Sequence, residues 1–213
     1  MRWRLVVAWL LAGCAGPAWA GQLVVRVSDS GGHAVGDAVV SLVTAAPASD
    51  PAPRPVTRYV DQRNETFIPY VQVLHPGDRV VFRNSDGTRH HVYSFSEAKA
   101  FEFLLRPGES SPPLTLDKTG LVAVGCNIHD HMIAYLVITS GQALVTPPQG
   151  QVVFEHLPPG HYTVEVWHPQ LRPGQVPPSV EANVAEDAPA HAEFALSLIP
   201  DPRGFADREH LDY

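Results

Sequence analysis

Apolar positions along this chain alternate with polar ones or form short runs, and Gly and Pro break them up. A period of two predicts strands at 22–27, 37–43, 71–74, 79–82, 90–95, 112–116, 121–124, 133–138, 151–154 and 161–167. Two more are expected at 180–184 and 192–198. Turns fall at 28–32, 75–78 and 157–160, where Gly, Pro and Asp supply the bends. Only 96–105 admits a helical period. With 21 Pro and 16 Gly to make turns, the pattern predicts an all-β protein built from sandwiches.

The same punctuation divides the chain. A Pro- and Ala-rich stretch at 45–55 reads as a flexible connector, and a new strand pattern starts at Val56. Residues 201–213 read as a polar tail. At the start, Arg2 and Arg4 precede an apolar run from Leu5 to Cys14 and an Ala18-Trp19-Ala20 exit. That order describes a signal peptide over 1–20 and a periplasmic or secreted product. The stretch Leu11-Ala12-Gly13-Cys14 also has the form of a lipoprotein box, which would lipidate Cys14 instead. No later stretch is long and apolar enough for a membrane helix. Cleavage after Ala20 would remove Arg2 and Arg4 from the 15 bases and none of the 22 acids, moving formal charge from -7 to -9. An acidic chain without a basic run argues against nucleic acid and anionic membrane surfaces as partners.

Outside that leader one Cys and one Met remain, Cys126 and Met132, in the segment Gly125-Cys126-Asn127-Ile128-His129-Asp130-His131-Met132. An oxidising compartment favours paired cysteines, so a single one calls for a reason: burial, a bond to another chain, or a metal. A thiolate, an imidazole and a thioether in one short loop form a soft donor set suited to copper. Zinc could share the Cys and His, but Met is a poor zinc ligand.

Two motifs carry a resemblance to a known family. Gly77-Asp78-Arg79-Val80-Val81-Phe82-Arg83-Asn84 resembles the G-D-x-V-x-[FW]-x-N strand of the cupredoxins, and Asn84-x-Asp86-x-x-x-His90-x-Val92 resembles the loop that follows it. Cys126-x-x-His129-x-x-Met132 resembles the family's second ligand segment, in its short amicyanin-type form within the amicyanin and plastocyanin branch. The stretch as a whole is similar to exported cupredoxin-like proteins labelled methylamine-utilisation proteins. The resemblance covers 56–139 and implies a Greek-key β-sandwich holding one type I copper. His90, Cys126 and His129 would form the trigonal plane and Met132 the weak axial ligand. Two choices stay open. His91 competes with its neighbour His90, because adjacent strand residues face opposite ways; the count from Asn84 favours His90 and the distance to Phe95 favours His91. His131 competes with Met132. Asn84 and backbone amides near Asn127 are candidates to brace the loop and hydrogen-bond the sulfur.

The flanks resemble another family. Residues 25–42 are similar to the opening strands of carboxypeptidase-regulatory or transthyretin-like domains, and 146–166, with Leu157-Pro158-Pro159-Gly160, to their later strands. The copper unit is therefore expected as an insertion in a small Ig-like sandwich made of 21–46 and 140–200. A rival layout adds 21–46 to the copper unit itself. The leading functional expectation is a carrier of single electrons between redox protein partners, not an enzyme. Copper buffering or delivery, and a structural or docking role with a vestigial site, are the alternatives.

Overall fold

The computed structural model describes residues 21–43 and 54–203. The signal peptide, Cys14 and most of the connector and tail lie outside them. Among the described residues there are strands and no α-helix. In chain order they are β1 (Gly21–Asp29), β2 (Val39–Val43), β3 (Thr57–Gln62), β4 (Phe67–Ile68), β5 (Val71–Leu74), β6 (Arg79–Asn84), β7 (His90–Ser96) and β8 (Lys99–Leu105). There follow β9 (Leu114–Thr115), β10 (Gly120–Cys126), β11 (Ile133–Ile138), β12 (Ala143–Val145), β13 (Gln151–Leu157), β14 (Gly160–Trp167), β15 (Ser179–Val184) and β16 (Ala190–Leu196).

Four sheets form. Two contain only central strands, in the orders β5-β11-β10-β7-β8 and β4-β3-β6-β9. Their inner faces share one core, in which Val60, Phe67, Val80 and Phe82 meet Val92, Val124, Ala134 and Leu136. The other two, β13-β1-β16 and β12-β2-β14-β15, join strands from both ends of the chain around a second core. Leu23, Val25 and Val27 of β1 face that core, and the strand pairs with β13 on one side and β16 on the other.

The helical reading of 96–105 fails. Lys99–Leu105 is strand β8, antiparallel to β7. Phe101, Phe103 and Leu105 point to the core while Ala100, Glu102 and Leu104 are exposed, a period of two that outweighs the helical spacing. The Phe82 ring stacks on Phe101 at 5.1 Å, which fixes β8 against the opposite sheet. The strand expected at 112–116 shrinks to β9, and that at 37–43 starts only at Val39, because Asp37 has left-handed backbone (φ 59°).

The two sandwiches meet along a seam. Strand β11 turns Ala134, Leu136 and Ile138 into the central core and Ile133, Tyr135 and Val137 outward, onto Val39, Val145 and Trp167. Tyr135 lies edge-on between Tyr70 and Trp167, with ring centres 5.7 and 5.5 Å away. The Arg203 guanidinium caps the Tyr70 ring at 3.4 Å while its nitrogens pair with Asp201.

One close approach in the end-strand sandwich supports a prediction. Gly150 (φ 67°) accepts the Val27 amide, and a Cβ there would lie 2.4 Å from the Val27 carbonyl oxygen. Backbone cannot yield as a side chain does. Gly150→Ala is expected to cost on the order of 3 kcal/mol, read as a fall in the urea midpoint of unfolding.

Candidate metal centre

Strand alternation places the first imidazole. In β7, His90, Val92 and Ser94 face inward, while His91, Tyr93 and Phe95 face out. Val92 pairs with Cys126 at the end of β10, so His90 lies one inward step from the sulfur. Beyond Cys126 the chain makes a tight loop. The Met132 amide donates to the His129 carbonyl at 3.0 Å, and the Cys126 amide to the Met132 carbonyl at 3.2 Å. This closure brings His129 back over the sulfur and starts β11 immediately after.

His90, Cys126 and His129 form the one group of potential metal donors found among the described residues, with ligand atoms within 4.8 Å of one another. The Cys126 Sγ lies 3.7 Å from His90 Nδ1 and 3.8 Å from His129 Nδ1. Metal bonds of roughly 2.0–2.3 Å at near-trigonal angles place donors about 3.5–3.7 Å apart, so a single ion fits between these three. His90 is fully buried and Cys126 nearly so, while His129 keeps a 16% exposed edge. Met132, 2% exposed, packs in the same core cluster as Cys126. Two imidazoles, a thiolate and a nearby thioether make a donor set that suits copper better than zinc.

The rival histidines lie elsewhere. His91 is on the outer face with Nε2 2.6 Å from Glu102. His131 turns its Nε2 toward Glu65, at 3.9 Å, and is outside the donor group.

Carboxylates stand behind both imidazoles of the group. Asp86 Oδ2 is 2.8 Å from His90 Nε2, which leaves Nδ1 to face the sulfur. Glu65 Oε1 is 3.6 Å from His129 Nε2. Asp86 also accepts the amides of Asn64 and Glu65. Burial raises its carboxyl pKa, but the Glu65 amide, His90 and the Asn64 amide outweigh that, and the net shift is downward from 3.8. The stability this carboxylate contributes is therefore complete above pH 3.8 and fades as pH falls through its lower folded value.

Asn84 braces the loop as expected: its Oδ1 accepts the Asp86 amide, and its Nδ2 donates to the carbonyls of Thr88 and Leu105. The Asn127 backbone also braces the loop, though by a bond other than the expected one to sulfur. Its amide donates to the His91 carbonyl at 3.0 Å instead of to the sulfur, because the β7–β10 ladder continues one residue past Cys126. Sequence reasoning assigned no role to Asp86 or Glu65. The placement of Asp86 four residues before His90 was the available signal for the first.

No family model and no curated protein matches this sequence. Among solved structures the chain is similar to the Cu-containing nitrite reductase (NirK) from Thermus scotoductus SA-01, at 25% identity and a TM-score of 0.36. That match covers 46% of this chain and 25% of the other, so the chain spans about a quarter of the reductase's length. It is similar also to a mutant amicyanin in its Cu(I) form (17% identity, 39% of this chain and 82% of that one, TM-score 0.36). A purple cupredoxin from Nitrosopumilus maritimus is a third (15% identity, 38% and 98%, TM-score 0.34). The chain itself is an all-β protein with a His–Cys–His group assembled in its interior.

Proposed function

We propose that this chain is an exported carrier of single electrons, binding one type I copper through His90, Cys126, His129 and Met132. The observation that carries the reading is the buried His–Cys–His group, assembled at the ends of two paired strands with a carboxylate behind each imidazole. Bound copper would supply the one-electron couple.

The protein's own part is to hold the donors still. Cys126 and His90 sit on β10 and β7, in register and almost without solvent. The loop from Cys126 to Met132 is closed by its own backbone bonds. A cage built this way keeps one shape in both oxidation states, which favours transfer over turnover. The edge of His129 is the point where the group comes nearest to solvent, and redox protein partners are proposed to act there.

We also read 56–139 as a copper unit inserted between the halves 21–46 and 140–200 of a transthyretin-like sandwich. The two separate cores and the pairing of β1 with β13 and β16 support this division. The leader over 1–20 supports a periplasmic or secreted location.

The test is to add Cu(II) to purified protein and titrate it reductively. An intense visible band that bleaches reversibly with one electron per chain is the expected result. A band that bleaches with prompt release of the metal would shift the reading to copper delivery, and no band at all would overturn it.

A further inference from the structure

The turn between β3 and β4 contains an anomaly. Arg63 and Thr66 exchange backbone hydrogen bonds at 3.0 and 3.2 Å, so Asn64 and Glu65 form a two-residue hairpin loop. Both have left-handed backbone, with φ of 51° and 53°. Such a loop favours Asn at its first position and Gly at its second. Asn64 conforms. Glu65 does not: its Cβ crowds the backbone where Gly would be free, and hairpin geometry alone gives no reason for it.

The side chain supplies the reason. The amides of Asn64 and Glu65 point at Asp86, the same carboxylate that contacts His90 Nε2. This anchoring carries the Glu65 carboxylate over the ligand loop, 3.6 Å from His129 Nε2 and 3.9 Å from His131 Nε2. His129 is the imidazole with the solvent-facing edge, and Glu65 is itself only 28% exposed. A negative charge is thus held one imidazole ring away from where the ion would sit.

We propose that Glu65 is a tuning residue for the metal centre: the strained hairpin exists to place its charge behind His129, where it favours the oxidised ion and lowers the reduction potential. This rests on the copper reading above. The physics is Coulombic. Cu(II) has one more positive charge than Cu(I), and a carboxylate screened by little solvent interacts more strongly with the higher charge. His131, on the other side of the same carboxylate, limits how far Glu65 can swing away.

Two variants separate tuning from scaffolding. Glu65→Gln keeps the shape and removes the charge. Glu65→Gly removes both and suits the backbone. Equilibrium redox titration of copper-loaded protein should show, in both, a roughly tenfold shift toward the reduced form, about 59 mV for one electron. Thermal unfolding of the metal-free protein should show Glu65→Gly melting at the same temperature as the parent or higher.

A shift below twofold in both variants, with the visible band intact, would overturn the assignment of Glu65 and leave the copper site standing. A lower melting temperature for Glu65→Gly with an unchanged potential would make Glu65 a structural residue and overturn it equally. Absence of the band in the parent protein would remove the copper reading and this inference with it.

Discussion

Cys126→Ala is expected to abolish the intense visible band of the copper-loaded protein completely, not merely to weaken it. That band requires a thiolate bonded to the ion, and among the described residues Cys126 is the free cysteine. Two imidazoles and a thioether would remain, a set that can still hold copper loosely but cannot give the same colour. The fold should persist. Cys126 behaves in the core as a small hydrophobe, and trimming its sulfur removes one buried atom, at a cost of about 1 kcal/mol. Absorption spectra with added Cu(II), alongside urea unfolding of the metal-free variant, check both halves. Persistence of the band would remove Cys126 from the site.

Asp86→Ala should act twice. Losing the carboxylate behind His90 Nε2 frees the ring to rotate its Nδ1 away from the sulfur, and such outer partners typically carry 10–100-fold in metal affinity. The same change releases the amides of Asn64 and Glu65, which lose a charged acceptor. Side chains at Asp86 are only 11% exposed, so water replaces that acceptor poorly and the metal-free protein should lose about 2–3 kcal/mol. Copper competition titrations and denaturant unfolding give the two magnitudes separately. An unchanged affinity would show that His90 is held by packing alone.

Much of the fold was legible in the sequence, because a strand with one face in a core must alternate. The expected strands at 71–74 and 133–138 coincide with β5 and β11. The loop from Cys126 to Met132 stood out too, since Cys and Met are rare here and their spacing places them together. What failed was local and has local causes. Strand β3 begins with exposed Thr57, Arg58 and Tyr59, so its first half has no apolar face to read. Strand β8 contains Phe101 and Leu104, three apart, which mimic a helix although they point to opposite faces of the sheet.

The carboxylates were illegible for a different reason. Glu65 reaches His129 through tertiary folding alone, across a long stretch of sequence, and no periodicity reports such a meeting. Choosing between His90 and His91 likewise needed to know which face of β7 was inward, a question one strand cannot answer by itself. The β7–β10 register puts His90 on the inward face, beside Cys126.

Strand β11 leaves the ligand loop at Ile133 and at once enters a grip from two sides, one core beneath it and the aromatic seam above. The loop therefore hangs from an anchor with no slack. An ion held there, were it to change its preferred coordination on gaining an electron, would meet a polypeptide that gives little and would have to accept the shape offered to it.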